Sequence, residues 1–87
     1  MKTVKTLLSA THSRAMGNHH VRITSNLREF AYHNTVICVV NDTFCTYNVN
    51  NGGWGTQSTT RAINAYVREL EGMGYTKTEL LKAVYRF

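Results

Sequence analysis

A glycine-rich stretch near the middle of the chain separates two kinds of hydrophobic pattern. Residues 50–61 hold the only tryptophan and half of the six glycines in this sequence of 87 residues. Upstream of it apolar residues alternate with a period of two, as in strands, and downstream they recur at helical spacing. We therefore expect a glycine hinge that ends the last strand of a sheet and buries Trp54 at the bend. Ser58, Thr59 or Thr60 would then cap a helix.

Short strands are predicted before this hinge. Alternating or β-branched runs occupy residues 20–24, 28–32, 35–40 and 43–49, and the dipeptides between them suit tight turns. Threading the strands with two-residue turns places apolar side chains on both faces of the sheet, with Cys38 on one face and Phe30 on the other, so both faces need a cover. The C-terminal helices would cover one face. The N-terminal segment, a second copy of the chain in a homodimer, or a target protein would cover the other.

Two helices are predicted after the hinge. The first covers about residues 59–71 and ends at two glycines, which are common at helix C-termini. The second begins with Thr76-x-x-Glu79, a capping-box pattern. The predicted fold is therefore α+β: an antiparallel meander of three or four strands followed by two C-terminal helices packed on one face. Residues 1–87 are expected to form a single domain.

The positive charge is concentrated in the N-terminal third of the chain. The formal net charge is +5, and residues 1–28 contain five basic residues and no acidic residue. We interpret residues 1–19 as a basic arm, which could be simply solvated or could bind phosphates or an acidic protein. Val4, Leu7 and Leu8 within it suit either a short helix or a strand. No apolar run is long enough to span a membrane, and the cytoplasm is the expected location.

The two cysteines become neighbours if residues 41 and 42 form a two-residue turn. Cys38 then lies directly opposite Cys45, within the distance that a disulfide can bridge. An oxidising compartment would favour the disulfide, whereas a reducing cytoplasm favours two small buried thiols.

Few residues suggest chemistry. A glycine-rich segment that leads into a capped helix can bind a phosphate, and Arg61 could provide a further contact to it. A chain bend at the glycines and helix capping by the hydroxyl groups explain the same residues without a ligand. His19 and His20 are adjacent on a predicted strand and point to opposite faces, so they cannot ligate one metal together. Carboxylates are sparse, and we recognise no catalytic set of residues. We therefore expect neither an enzyme nor a metal or cofactor site.

The segment Trp54-x-Thr56-x-Ser58-Thr59-Thr60 is the most specific part of a pattern that extends over roughly residues 12–71. Through this pattern the chain resembles a family of small bacteriophage proteins with no assigned activity. An apolar strand upstream (Thr35-Val36-Ile37-Cys38-Val39-Val40) also fits. Small phage proteins without catalytic residues commonly bind and disable a host component, so the resemblance implies an anti-CRISPR-like or host-takeover role.

The resemblance therefore favours a binding protein that inhibits a host protein or protein complex, which fits the small size, the apolar faces of the predicted sheet and the basic arm. The alternative is a basic nucleic-acid-binding protein with bases stacked on Tyr32, Phe44 or Trp54. Both hypotheses use the same candidate contact residues from the basic arm, the first strands and the hinge rim: Arg14, His19, His20, Arg22, Arg28, Trp54, Arg61 and Arg68.

Overall fold

The computed structural model describes residues 2–24, 27–50 and 56–78, and within them the chain has the predicted α+β class. The described residues form two helices and one mixed sheet of six strands. The elements in chain order are α1 (Lys2–Leu8), β1 (Arg14–Met16), β2 (His19–Ile23), β3 (Leu27–Tyr32), β4 (Thr35–Asn41), β5 (Thr46–Val49), α2 (Gln57–Gly72) and β6 (Thr76–Lys77). Neither helix has the length and apolarity needed to cross a bilayer.

The strands lie side by side in the order of the sequence. β1 to β5 pair antiparallel, and β6 pairs parallel with β5 after the connection through α2. The two strands beyond the predicted four are the short ones at the edges. Gly17, at φ 62, lies in the turn between β1 and β2, and the Thr76 N–H donates to the Cys45 carbonyl to start β6.

The N-terminal segment is built into the fold. α1 buries Val4, Leu7 and Leu8, which selects the helix from the two alternatives that their spacing allowed. β1 adds a strand in the polar stretch that we interpreted as an arm. β1 is a strand because it pairs with β2. Hydrophobic periodicity within residues 9–18 therefore did not predict it.

One apolar cluster joins both helices to the same face of the sheet. Phe30 of β3 and Tyr66 of α2 are fully buried, with ring centroids 4.8 Å apart. The cluster consists of Val4, Leu7, Leu8, Val21, Phe30, Ile37, Cys38, Val40, Tyr47, Ala62, Tyr66 and Leu70. We call this side the helix-covered face.

A β-bulge changes the predicted register between β3 and β4. Phe30 pairs with Cys38, but Ala31 pairs with Val36, which leaves Ile37 as the extra residue. Two-residue turns without a bulge had placed Phe30 and Cys38 on opposite faces, and that prediction is wrong. The extra residue lets their side chains share the helix-covered face.

The turn between β4 and β5 also differs from the prediction. Asn41 pairs with Thr46, so residues 42–45 form the turn and Cys38 lies opposite Val49 instead of Cys45. The Asn41 side chain produces this longer turn, because its Oδ1 accepts the N–H groups of Thr43 and Phe44 at 3.0 and 3.2 Å. Both thiols are free; Cys38 is buried, and Cys45 is exposed.

The helix after the hinge begins slightly earlier than predicted. Thr56 is the N-cap of α2, and its Oγ1 accepts the Thr59 N–H at 3.2 Å. The cap is therefore none of the three predicted residues, because the extended backbone of Thr56 (ψ 154) is the last before the helix. Thr76 and Lys77 form β6 and do not start the predicted second helix. Trp54 and residues 79–87 lie outside the described residues.

Candidate protein-binding site

The candidate contact residues do not form one patch. Arg14 is exposed on β1, while His19 and His20 are half-buried on β2 and point to opposite sides of the sheet. Arg61 and Arg68 are exposed on α2. Trp54, which the sequence predicts to be buried in the hinge, lies outside the described residues.

Arg22 is paired within the sheet. Its Nε and Nη2 atoms donate to the two carboxylate oxygens of Glu29 on the neighbouring strand, at 3.1 and 3.2 Å. These hydrogen bonds and the negative charge of Glu29 raise the pKa of Arg22. The pair lies across the sheet from the helix-covered face, because Val21 and Phe30, its neighbours in register, point to the helices. Much of the positive charge of Arg22 is therefore balanced locally.

Arg28 connects three parts of the fold. Nε and Nη2 donate to Asp42 at 2.9 and 2.8 Å, and Nη1 donates to the Leu8 carbonyl at the end of α1 at 2.6 Å. The guanidinium also lies over the Phe30 ring, 5.7 Å from its centroid. Tyr75 donates its hydroxyl to Asp42 at 2.7 Å. We call Arg28, Asp42 and Tyr75 the clamp; with 13% of its side chain exposed, Arg28 is mostly enclosed by these contacts.

The outer side of the helices carries exposed charged residues. Arg61, Asn64, Arg68 and Glu71 lie at spacings of three and four residues along α2, and all four are exposed. Glu71 accepts the Tyr47 hydroxyl at 2.8 Å; burial, followed by this bond, raises the pKa of Tyr47 to about 12.

On α1, Lys2 and Lys5 are exposed as well. We call these six exposed side chains of the two helices the helical surface: Lys2, Lys5, Arg61, Asn64, Arg68 and Glu71.

Two large apolar side chains are exposed among the described residues. Phe44 in the β4–β5 turn is 74% exposed, and Met73 after α2 is 52% exposed. Their segments adjoin, since Thr76 donates its N–H to the Cys45 carbonyl and Tyr75 bonds to Asp42. We call Phe44 and Met73 the turn corner. Sequence reasoning considered Phe44 only for base stacking and did not select Met73, because nothing local distinguishes an exposed apolar residue from a buried one.

A histidine–tyrosine group lies at the β3–β4 turn. The Tyr32 ring is 4.8 Å from the His19 ring and 4.3 Å from the His33 ring. His19 Nδ1 is buried and has no hydrogen-bond partner among the described residues. Burial, with smaller contributions from the charges of His33 and His20, lowers the pKa of His19. The neutral ring is therefore the form that this environment favours.

A cavity of about 480 Å³ lies between this turn and the start of α2. Its described lining offers rings, one aliphatic side chain and hydroxyl groups: Tyr32, His33, Thr35, Ile37, Thr56, Ser58 and Thr59. No lysine or arginine is among these described lining residues, so the sequence hypothesis of a phosphate site aided by Arg61 gains no support from them.

No cluster of three or more potential metal ligands occurs among the described residues. Comparisons with protein-family models, with curated proteins and with solved structures found no match to this chain.

Proposed function

We propose that this chain is a small bacteriophage-encoded binding protein that inhibits a host or defence factor by surface contact in the host cytoplasm. The resemblance of residues 12–71 to small phage proteins supports the source and the anti-CRISPR-like or host-takeover role. We infer the mode of action from the helical surface. Through this surface the chain contacts one protein or protein complex without catalysing a reaction.

The helical surface suits a protein contact because it is both charged and fixed. α2 packs against the sheet through Ala62, Tyr66 and Leu70, which are at most 1% exposed, while Arg61 and Arg68 point outward. A packed helix holds its outer side chains at a constant spacing. Arginine is enriched at protein interfaces, and cations on such a surface favour a partner with a complementary acidic patch.

Nucleic-acid binding is the second candidate function. The exposed cations Arg14, Arg61 and Arg68 could contact phosphates. Against it, Arg22 and Arg28 are hydrogen-bonded to carboxylates, and Glu71 adds a negative charge to the same helix side. The carboxylates reduce the electrostatic attraction for a polyanion, whereas an interface with a protein accommodates both signs of charge.

The test is affinity purification from host cells, followed by titration calorimetry on the purified partner. Arg61→Glu and Arg68→Glu should each weaken binding by about tenfold or more, because reversing a charge at an interface typically costs more than 1.4 kcal/mol. Ala15→Glu is the control: it adds a negative charge on β1, outside the helical surface and at the opposite edge of the sheet from β6, and it should bind within about twofold of the unchanged chain.

Salt separates the two functions. Random DNA or RNA should bind weakly or not at all under the proposal. Tight binding to random oligonucleotides, with an affinity that falls steeply as salt rises, would instead establish the nucleic-acid function. Unchanged affinity for a protein partner in both charge-reversed variants would contradict the role of the helical surface.

A further inference from the structure

The turn corner provides a second and chemically different contact. We propose that Phe44 is an anchor side chain that inserts into an apolar pocket of an acidic protein partner, with Met73 packing at the edge of that pocket. This inference rests on the proposed function, since it assumes a protein partner. It concerns an apolar surface, which is separate from the charged residues of the helical surface.

Exposure of Phe44 is the first observation. An aromatic ring that is 74% exposed leaves its apolar area in water, and removing such area from water is the main source of association free energy. The rest of the turn gives no reason for an aromatic residue there. A small polar residue would serve a simple chain reversal at least as well. Aromatic side chains are also over-represented among residues that dominate binding energy.

The rigidity of the turn is the second observation. The Asn41 side chain accepts the N–H groups of Thr43 and Phe44, so the backbone is fixed at the residue that carries the ring. The clamp fixes the start of the turn through Asp42, and the Thr76 N–H fixes its end at Cys45. A side chain presented on a fixed backbone loses little conformational entropy when it binds.

Charge indicates the kind of partner. A second copy of this chain would bring another net charge of +5 to the interface, and like charges oppose association. Lys77 is exposed on β6, directly after the residue that bonds to the turn. The carboxylate of Asp42 in the same turn is paired with Arg28, so an acidic protein surface around the pocket would complement Lys77 and the overall charge.

Photo-crosslinking tests the position of Phe44 directly. Benzoylphenylalanine replaces Phe44 in one variant and Ala15, which is exposed on β1 at the sheet edge, in the control. With the purified partner, the variant at position 44 should crosslink to apolar residues of the partner, and the control should not. Crosslinks from position 44 to a second copy of the chain or to nucleic acid would overturn the proposal.

Affinity gives the second test. Phe44→Ala should raise the dissociation constant for the purified partner at least about tenfold, and Phe44→Leu, which keeps an apolar side chain, should raise it less. Because Phe44 is mostly exposed, both variants should fold, with melting temperatures close to that of the unchanged chain. Binding of Phe44→Ala within twofold of the unchanged chain would overturn the proposal.

The failure of this inference is distinguishable from failure of the proposed function. If Arg61→Glu weakens binding while Phe44→Ala does not, the binding function stands and the anchor is refuted. If a purified partner binds and neither change weakens its binding, the binding function stands, but the helical surface and the anchor are both refuted as its contacts. If no saturable partner is recovered, the proposed function and the anchor are both refuted.

Discussion

Arg28→Ala should destabilise the fold by about 3 kcal/mol, because Arg28 stabilises contacts between α1, β3 and the β4–β5 turn. The bond to the Leu8 carbonyl contributes about 1.5 kcal/mol, as expected for a charged donor. The pair with Asp42, whose side chain is 42% exposed, contributes only about 0.5–1 kcal/mol after solvent screening. Lost packing of the guanidinium on Phe30 adds about 0.5–1 kcal/mol.

Urea unfolding followed by far-ultraviolet circular dichroism measures this loss. Arg28→Lys should recover less than half of it, since an ammonium cannot make the bidentate contact and the third bond together. The control Arg68→Ala removes an exposed arginine and should change stability by no more than about 0.5 kcal/mol. If Arg28→Ala were as stable as the unchanged chain yet lost binding to the partner, Arg28 would be a contact residue and the clamp would have no structural role.

Three further predictions concern buried or reactive groups. Tyr66→Phe should raise the unfolding free energy by about 1 kcal/mol in urea titrations, because the buried Tyr66 hydroxyl has no partner among the described residues; a loss of stability would show that the hydroxyl is satisfied. A thiol reagent at pH 8 should modify Cys45 rapidly and Cys38 only on unfolding, since burial raises the pKa of Cys38 to about 12; equal rates, or a disulfide between them, would contradict this. Stability should fall as the pH drops below 6.5, because the folded state lowers the pKa of His19 and the unfolded state therefore binds more protons. His19→Gln should flatten that slope and the exposed His12→Gln should not, as urea midpoints across the pH range would show.

Turn chemistry explains which hairpins the sequence predicts correctly. His33 and Asn34 adopt positive φ values of 52 and 65, as a two-residue turn of type I′ requires, and Tyr32 pairs with Thr35 around them. The β4–β5 turn has the same apparent signal in Asn41 and Asp42. The length of this turn depends on hydrogen bonds of the Asn41 side chain and on the contacts of Asp42 with distant residues. The local sequence pattern does not predict these contacts.

The two edge strands, β1 and β6, also depend on distant partners and could not be predicted from hydrophobic periodicity. Residues 14–16 and 76–77 form segments that are too short to show a period of two. They become strands because longer neighbours offer unpaired backbone groups. By contrast, α2 is long and amphipathic, so its position was predicted to within about two residues of the observed bounds.

The candidate site was only partly accessible to sequence reasoning. The sequence placed Arg61 and Arg68 at the rim of the predicted hinge, and both are exposed. It could not show that Arg22 and Arg28 are paired with Glu29 and Asp42. The Arg28–Asp42 pair joins residues 14 positions apart, and only the strand register brings them together. Exposure of Phe44 likewise follows from the observed turn.

The most direct test of the account is a map of amide chemical-shift changes in the ¹⁵N-labelled chain as the purified partner is added. We expect the largest changes at Arg61, Asn64 and Arg68 on α2, with Phe44 as the second centre. Changes centred instead on Arg22 and Glu29, across the sheet from the helices, would contradict the proposed contact surface.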